Sequence, residues 1–393
     1  MIHRLLIPII VGTLLPYIWL YTKVFHGLSG WRKYLFWLPA FGVIAYSAYL
    51  SFLPNFVPDN PILVDVWFGM MALFAVPQFV FSFCDFLGRG ITKLSHFHWR
   101  RGRWVSMVVA ATSFFVFIYG FTFGFRKMEV RHITITVPDL PKAFDGYRIV
   151  QFSDIHLGSF YGWRKDIPER DIHAINAQHA DMICFTGDIQ NVESSELVTY
   201  KQLLSSLKAK DGVFSVLGNH DYSFYVDGTD REKKEVEKKV QDFERSLGWN
   251  LLNNERRIVR RGDDSIVIAG TENYDNPKHT QVAKALYGIK PGSFVLMLQH
   301  IPTQWKEMMP SNINVFYGSK DTVLRAPQLT LSGHTHAGQV EVLGLRPTMF
   351  AAYDYGLYER EGCQLYTTSG LGGVVPIRVG ATAEIVVITL KKK

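Results

Sequence analysis

The sequence predicts a four-helix membrane region followed by an α/β domain, and three observations predict it. Four apolar runs of 16 or more residues, free of Lys, Arg, Asp and Glu, fall before residue 127. Beyond residue 128, short apolar runs alternate with amphipathic ones, the texture of strands alternating with helices. Five of those short runs end directly in Asp, Asn or His. The expected division is a membrane anchor over 1–127 and a soluble domain over 128–393. Of the 393 residues, 48% are hydrophobic and 20% charged, which excludes a disordered chain. Charge divides at the same place, with a net +8 over 1–127 and −1 over the rest. The basic pI of 9.1 therefore belongs to the membrane region and does not point to nucleic acid as a partner. Cys84, Cys184 and Cys363 are too few for a disulfide framework.

The apolar runs are 5–20, 34–53, 66–83 and 104–125. A helix rising 1.5 Å per residue needs about 20 residues to cross the hydrocarbon. The first and third runs are slightly short and extend through Tyr17, Trp19, Tyr21 and Trp67, aromatic residues suited to the interface. Pro8, Pro16, Pro39 and Pro77 are tolerated in a bundle within lipid. A cleaved signal peptide is disfavoured for the first run, since no small-x-small site follows and three more runs do. Asp65 and Asp85 are expected at the ends of the third run, leaving no mid-span acid for a transport path. The bundle reads as an anchor.

In the second part, residues 130–137 alternate as a half-buried strand. Runs 148–153, 182–186, 213–217, 266–270, 294–298 and 329–332 read as buried strands of a central sheet. Residues 166–180, 193–210 and 230–247 read as surface helices, and 363–390 holds two more strands around a Gly-rich turn. The charges of 231–239 are a solvated helix face.

Ligands of such sheets sit beyond the carboxyl ends of the strands. There the sequence places Asp154 and His156, then Asp188, then Asn219 with His220 and Asp221, then His300, then His334 and His336. Carboxylate, imidazole and amide oxygen without thiolate suit Mn²⁺, Fe²⁺, Zn²⁺ or Mg²⁺. D-x-H and H-x-H put both side chains on one side of an extended segment. A carboxylate shared by two ions holds them about 3.5–4 Å apart, where a bridging hydroxide can attack phosphorus. His220, beside Asn219 but pointing elsewhere, is placed to donate to a phosphoryl or leaving oxygen. A lone histidine is usually a satisfied core residue; five ordered motifs at strand ends leave that reading little room.

The order D-x-H, G-D, G-N-H-D, His, G-H-x-H resembles the calcineurin-like metallophosphoesterase superfamily, from residue 130 to the C-terminus. The resemblance implies an α/β/β/α sandwich with a dinuclear site at the strand ends. It implies that Asp154, His156 and His336 hold one metal and that Asp188 bridges. Asn219, His300 and His334 complete the second site, and His220 is catalytic. The Ser/Thr protein phosphatase continuation G-D-x-V-D-R-G is absent after Asp188. Asn191 stands where purple acid phosphatases need a tyrosine. Ile301 is apolar where many relatives carry a polar residue. The tail, with Gly356, Tyr366, Gly370, Gly372, Arg378 and Glu384 among its residues, resembles bacterial membrane-associated phosphoesterases. Some of that branch resemble UDP-2,3-diacylglucosamine hydrolases, which split a lipid-linked diphosphate.

The expected function is hydrolysis of a phosphodiester or diphosphate in a lipid-linked substrate at a bilayer. Only residues 126–129 separate the fourth run from the first strand, and four extended residues reach about 14 Å at most. Aromatic stretches 160–163 and 222–225 follow two of the motifs, either as an apolar rim or as packing under the sheet edge. The alternatives are a phosphodiesterase of soluble nucleotides, a nuclease, and a non-catalytic phospholipid-binding scaffold. The expected location is a bacterial inner membrane, multi-pass. Loops 21–33 and 84–103 carry eight bases against four on the opposite side, Arg4, Arg126, Lys127 and Arg131, with none in loop 54–65. The positive-inside rule then turns the catalytic domain outward.

Overall fold

The computed structural model describes residues 2–53, 62–94, 102–226, 228–275, 278–319 and 323–393. The chain divides into two units, Met1–Thr122 and Phe123–Lys393.

The first unit holds α1 (Ile2–Lys23), α2 (Trp31–Ser51), α3 (Ile62–Met70), α4 (Val76–Leu94) and α5 (Gly102–Tyr119). A π turn, Met71–Ala75, joins α3 to α4 just before Pro77, whose missing N–H removes a rung of the α ladder. Together they form one continuous rod, so four helical stretches are long and apolar enough to cross a membrane. Their outward faces carry exposed Leu, Ile, Val, Phe and Trp, which only lipid can cover favourably. Polar groups pair inside the bundle: Trp67 Nε1 donates to Ser47 Oγ (2.8 Å) and Ser82 Oγ to the Pro16 carbonyl (3.1 Å). One expectation is corrected here. Asp85 does not end its helix; it is buried within α4, where Trp19 Nε1 (3.1 Å) and Arg89 Nε (2.7 Å) donate to its carboxylate. These partners let the helix run through the acid to Leu94, so Arg89 and Lys93 are helical rather than in a loop. Most of loop 54–65, and Arg100 and Arg101, lie outside the described residues.

The second unit has two six-stranded sheets. The first runs in the order β1 (Met128–Val137), β12 (Ala383–Lys392), β2 (Arg148–Phe152), β3 (Met182–Phe185), β4 (Val213–Ser215), β5 (Asn250–Leu251). The second runs β10 (Gly356–Arg360), β11 (Cys363–Thr367), β9 (Leu329–Ser332), β8 (Phe294–Leu298), β7 (Asp264–Gly270), β6 (Glu255–Arg261). β2 to β5 are mutually parallel, as are β7, β8, β9 and β11. Alternation of side chains builds the layers. Ile149, Met182 and Cys184 face the core between the sheets with Ile268, Leu296 and Leu331. Val150, Ile183 and Phe185 face an outer core with Ile172 and Ile175 of α6 (Ile167–Asn176) and Val240 of α8 (Asp230–Ser246). Val295 and Met297 face a third core. There they meet α9 (Val282–Leu286) and α10 (Ile313–Phe316), with α7 (Lys201–Leu204) lying on the first sheet's side. The result is a mixed α/β domain with helices on the outer faces of two sheets.

Candidate metal centre

Five strands deliver the side chains of interest from their carboxyl ends. Asp154 and His156 follow β2, Asp188 follows β3, Asn219 and His220 follow β4, His300 follows β8, and His334 and His336 follow β9. The backbone leaves the strands sharply. Asp154, His156, Asp188, His334 and His336 all have positive φ, between 48° and 77°, a region costly for residues with a Cβ. Backbone pairing holds the turns: Asp154 N–H donates to the Gly187 carbonyl and His156 N–H to the Asp188 carbonyl, at 2.9 and 3.2 Å. Two glycines are required by close approach. A Cβ at Gly218 would lie 2.1 Å from Asp188 Oδ1, and one at Gly333 2.3 Å from Asp154 Oδ2.

The histidine tautomers are set from outside. His156 Nδ1 donates to the Gln190 carbonyl (3.1 Å) and His300 Nδ1 to the Thr186 carbonyl (2.7 Å). Each therefore turns its Nε2 inward. His300 Nε2 then lies 3.2 Å from Asp188 Oδ2 and 3.1 Å from Asn219 Oδ1. His156 Nε2 is buried without a hydrogen-bond partner, 3.5 Å from Asp188 Oδ2. His336 Nε2 lies 3.5 Å from Asp154 Oδ1, and His334 Nδ1 2.9 Å from Asn219 Oδ1. Imidazole nitrogens thus converge on carboxylate and amide oxygens at 2.9–3.5 Å, an arrangement suited to a cation. Asp154, His156 and His336 form one group with ligand atoms within 4.8 Å of one another, and Asp154, Asp188 and His300 another. The donor set of imidazole, carboxylate and amide oxygen fits borderline divalent ions.

Burial pushes Asp188 upward, but His300, His220 and His156 around it hold its carboxyl well below the usual range. Burial opposes protonation of His300, yet Asp188 raises its pKa to about 9. Burial carries His156 down to about 3 and His334 down to about 4. Asp154 is raised to about 7, chiefly by burial.

His220 stands beside the group. Its Nδ1 is 2.6 Å from the Asn191 carbonyl, its ring stacks on Tyr225 at 4.4 Å, and its backbone N–H donates to Asp188 Oδ1.

Sequence reasoning missed the supports. Asp221 accepts from the N–H groups of Asp188, Ile189, Gln190 and Gly218, at 2.8–3.3 Å. It braces the Asp188 turn, and its place in G-N-H-D was the signal. Glu196 accepts from the N–H groups of Asn191, Val192 and Glu193, fixing the carbonyl that holds His220. Arg378, fully buried, donates to the carbonyls of Ser369, Gly370 and Gly372. Those residues in turn cap Asp154 through the Gly372 N–H (2.8 Å). Of the two readings of 160–163 and 222–225, packing holds for most of the described aromatic residues. Phe160 and Tyr222 are buried in the core, and Tyr225 stacks on His220. Trp163 alone among those described is exposed, and the Phe224 side chain lies outside the description.

A two-sheet sandwich with carboxylate and imidazole converging at strand ends defines a metal-dependent hydrolase architecture. Residues 147–338 match the profile of the calcineurin-like phosphoesterases. Residues 3–125 match one described as a probable calcineurin-like phosphoesterase transmembrane domain. An uncharacterized metallophosphoesterase of Bacillus subtilis is 30% identical over 68% of this chain and 86% of its own length. One of Campylobacter jejuni is 24% identical over 84% and 83%. A transmembrane protein with metallophosphoesterase domain from Danio rerio is 29% identical over 70% of this chain, which spans 60% of that relative's length. The chain belongs to the calcineurin-like phosphoesterases, and is a multi-pass membrane protein of that family.

Proposed function

We propose that this chain hydrolyses a phosphodiester or diphosphate bond with two divalent ions, in a lipid-linked substrate. The observation that carries the reading is the convergence of inward ring nitrogens on carboxylate and amide oxygens at 2.9–3.5 Å. In this reading Asp154, His156 and His336 hold one ion, Asn219, His300 and His334 the other, and Asp188 both. Asp188 suits the bridging role because its Oδ2 lies between His156 Nε2 and His300 Nε2, at 3.5 and 3.2 Å. Bound divalent ions supply Lewis-acid polarisation of the phosphoryl group and a water deprotonated at neutral pH. The protein's part is to hold geometry. Asp221 and Arg378 fix the turns, and Thr186 and Gln190 fix the tautomers. His220, oriented by the Asn191 carbonyl and the Tyr225 ring, presents Nε2 to the phosphoryl or leaving oxygen as hydrogen-bond or proton donor.

The four membrane helices support a substrate met at the bilayer, with one end in lipid. The excess of Lys and Arg over residues 21–33 and 84–103, around the helix ends on one side, supports an outward-facing catalytic domain in a bacterial inner membrane. The test is an activity screen of the detergent-purified full chain. It would cover an aryl phosphodiester, a monoester and lipid-linked diphosphates, with Mn²⁺, Zn²⁺, Mg²⁺ or Fe²⁺. Turnover abolished by chelation and restored by one of these ions is the expected result. Turnover unaffected by exhaustive chelation, or absent with every ion and substrate class, would remove the reading.

A further inference from the structure

Six residues beyond His336 the chain enters a hairpin that the centre described above does not use. Val342 and Leu345 exchange both backbone hydrogen bonds at 3.0 Å, closing a two-residue turn. Its two central residues, Leu343 and Gly344, have φ of +52° and +79°. Such a turn favours Asn or Gly at its first central position, because a left-handed backbone crowds a Cβ. A leucine there is strained. It also gains no burial in return, since Leu343 is 98% exposed. The neighbouring residues repeat the theme: Val342, Leu345, Met349 and Phe350 are all exposed, Phe350 at 92%. Five large apolar side chains therefore face outward within nine residues, and nothing in the fold of the domain requires it.

The hairpin is also stripped of free charge. Arg346, the one charged residue of 342–350, is held by Asp354 Oδ2 (2.9 Å) and Glu341 Oε2 (3.0 Å). Its base is firm. Gln339 Nε2 donates to the carbonyls of Val375 and Ile377, at 2.7 and 2.9 Å, and Glu341 N–H donates to the Val379 carbonyl. A rigid stalk ending in leucine and phenylalanine, with its one guanidinium neutralised, is suited to a nonpolar phase.

The geometry points to the hairpin 342–350 as a membrane-dipping finger whose Leu343 and Phe350 side chains enter the hydrocarbon of the bilayer in which this chain is anchored. The occupant is lipid because four apolar helices of the same chain bring every copy to a bilayer. The inference goes beyond the reaction and does not depend on it, because its test reads environment rather than turnover.

The experiment uses the full chain, with Cys84 replaced by Ser, one copy per nanodisc of phosphatidylcholine and phosphatidylglycerol. Leu343→Cys or Phe350→Cys, introduced one at a time as the exposed cysteine since Cys184 and Cys363 are buried, carries an environment-sensitive fluorophore. Ile258→Cys, on β6 at the opposite edge of the second sheet and 52% exposed, is the reference. Doxyl-labelled lipid should quench the labels at 343 and 350 roughly twofold or more, while the label at 258 stays water-like and unquenched. Leu343→Asn, which suits the left-handed turn and relieves its strain, should keep the fold and halve quenching at 350. Labels at 343 and 350 that remain water-like would overturn the finger. Shielding seen only with two copies per nanodisc would assign the surface to a second chain and overturn it equally.

Discussion

At the scale of single residues, the centre is defined as much by backbone strain as by side-chain identity. Five of the seven residues assigned as ligands adopt left-handed φ, at a cost of order 1–3 kcal/mol each. The surrounding hydrogen bonds to Asp221, Glu196 and Arg378 make those conformations the ones that survive. The identities were legible in the sequence, because D-x-H, G-D, G-N-H-D and G-H-x-H each follow a strand-like run. The strain was not, since no local pattern announces a positive φ at an aspartate. Nor was the inward turn of the His156 and His300 Nε2 atoms, which depends on carbonyls of Gln190 and Thr186 more than 30 residues away. His220 tests the division of labour. Because its ring nitrogen is held by the Asn191 carbonyl outside the ligand group, His220→Ala should leave bound metal unchanged and lower kcat by about 10²–10⁴. A fully active His220→Ala protein would remove the assigned role, and one that has lost its ions would make His220 part of the binding set.

At the scale of elements, the strands that the sequence showed are those buried on both faces, such as β2, β3 and β8, and the alternating half-buried β1. β6 was missed because Glu255–Arg261 reads E-R-R-I-V-R-R, a basic edge strand in which only Val259 is buried. β5 and β10 were missed because one is two residues long and the other is half-exposed at the opposite edge. Helix 230–247 was legible from its charged face, but its inner face holds a surprise. Glu244 of α8 is fully buried, accepts a hydrogen bond from Ser215 Oγ at 2.6 Å, and leaves Oε1 without a partner. Burial, with the nearby Asp221 charge, raises its pKa well above 4.5. The folded domain then holds a proton that the unfolded chain releases. Stability from this group is full below about pH 4.5 and is lost as pH rises toward the raised folded value. Thermal melts of wild type and Glu244→Gln between pH 5 and 8 should show a steeper fall in Tm for the wild type. Parallel curves would mean that Glu244 does not titrate differently on folding.

At the scale of the whole molecule, a membrane anchor and a phosphoesterase domain occupy one chain, and the two halves were separable in the sequence by charge and apolar run length alone. The sequence did not show that the third helix runs on past Asp85 to Leu94, because Asp85 finds Trp19 and Arg89 as partners. With an even number of spans the N-terminus and the catalytic domain share a side, and the distribution of bases proposes the outer one. Protease added to intact spheroplasts should digest the C-terminal domain; protection until lysis would place it in the cytoplasm. The central claim, that seven side chains from five strand ends hold two divalent ions, is tested most directly by metal stoichiometry. Elemental analysis of the purified full chain, loaded with Mn²⁺ or Zn²⁺ and desalted, should give about two ions per chain, falling to one or fewer in Asp188→Asn. A loaded wild type carrying no ions, or an Asp188→Asn protein carrying as many as the wild type, would contradict it.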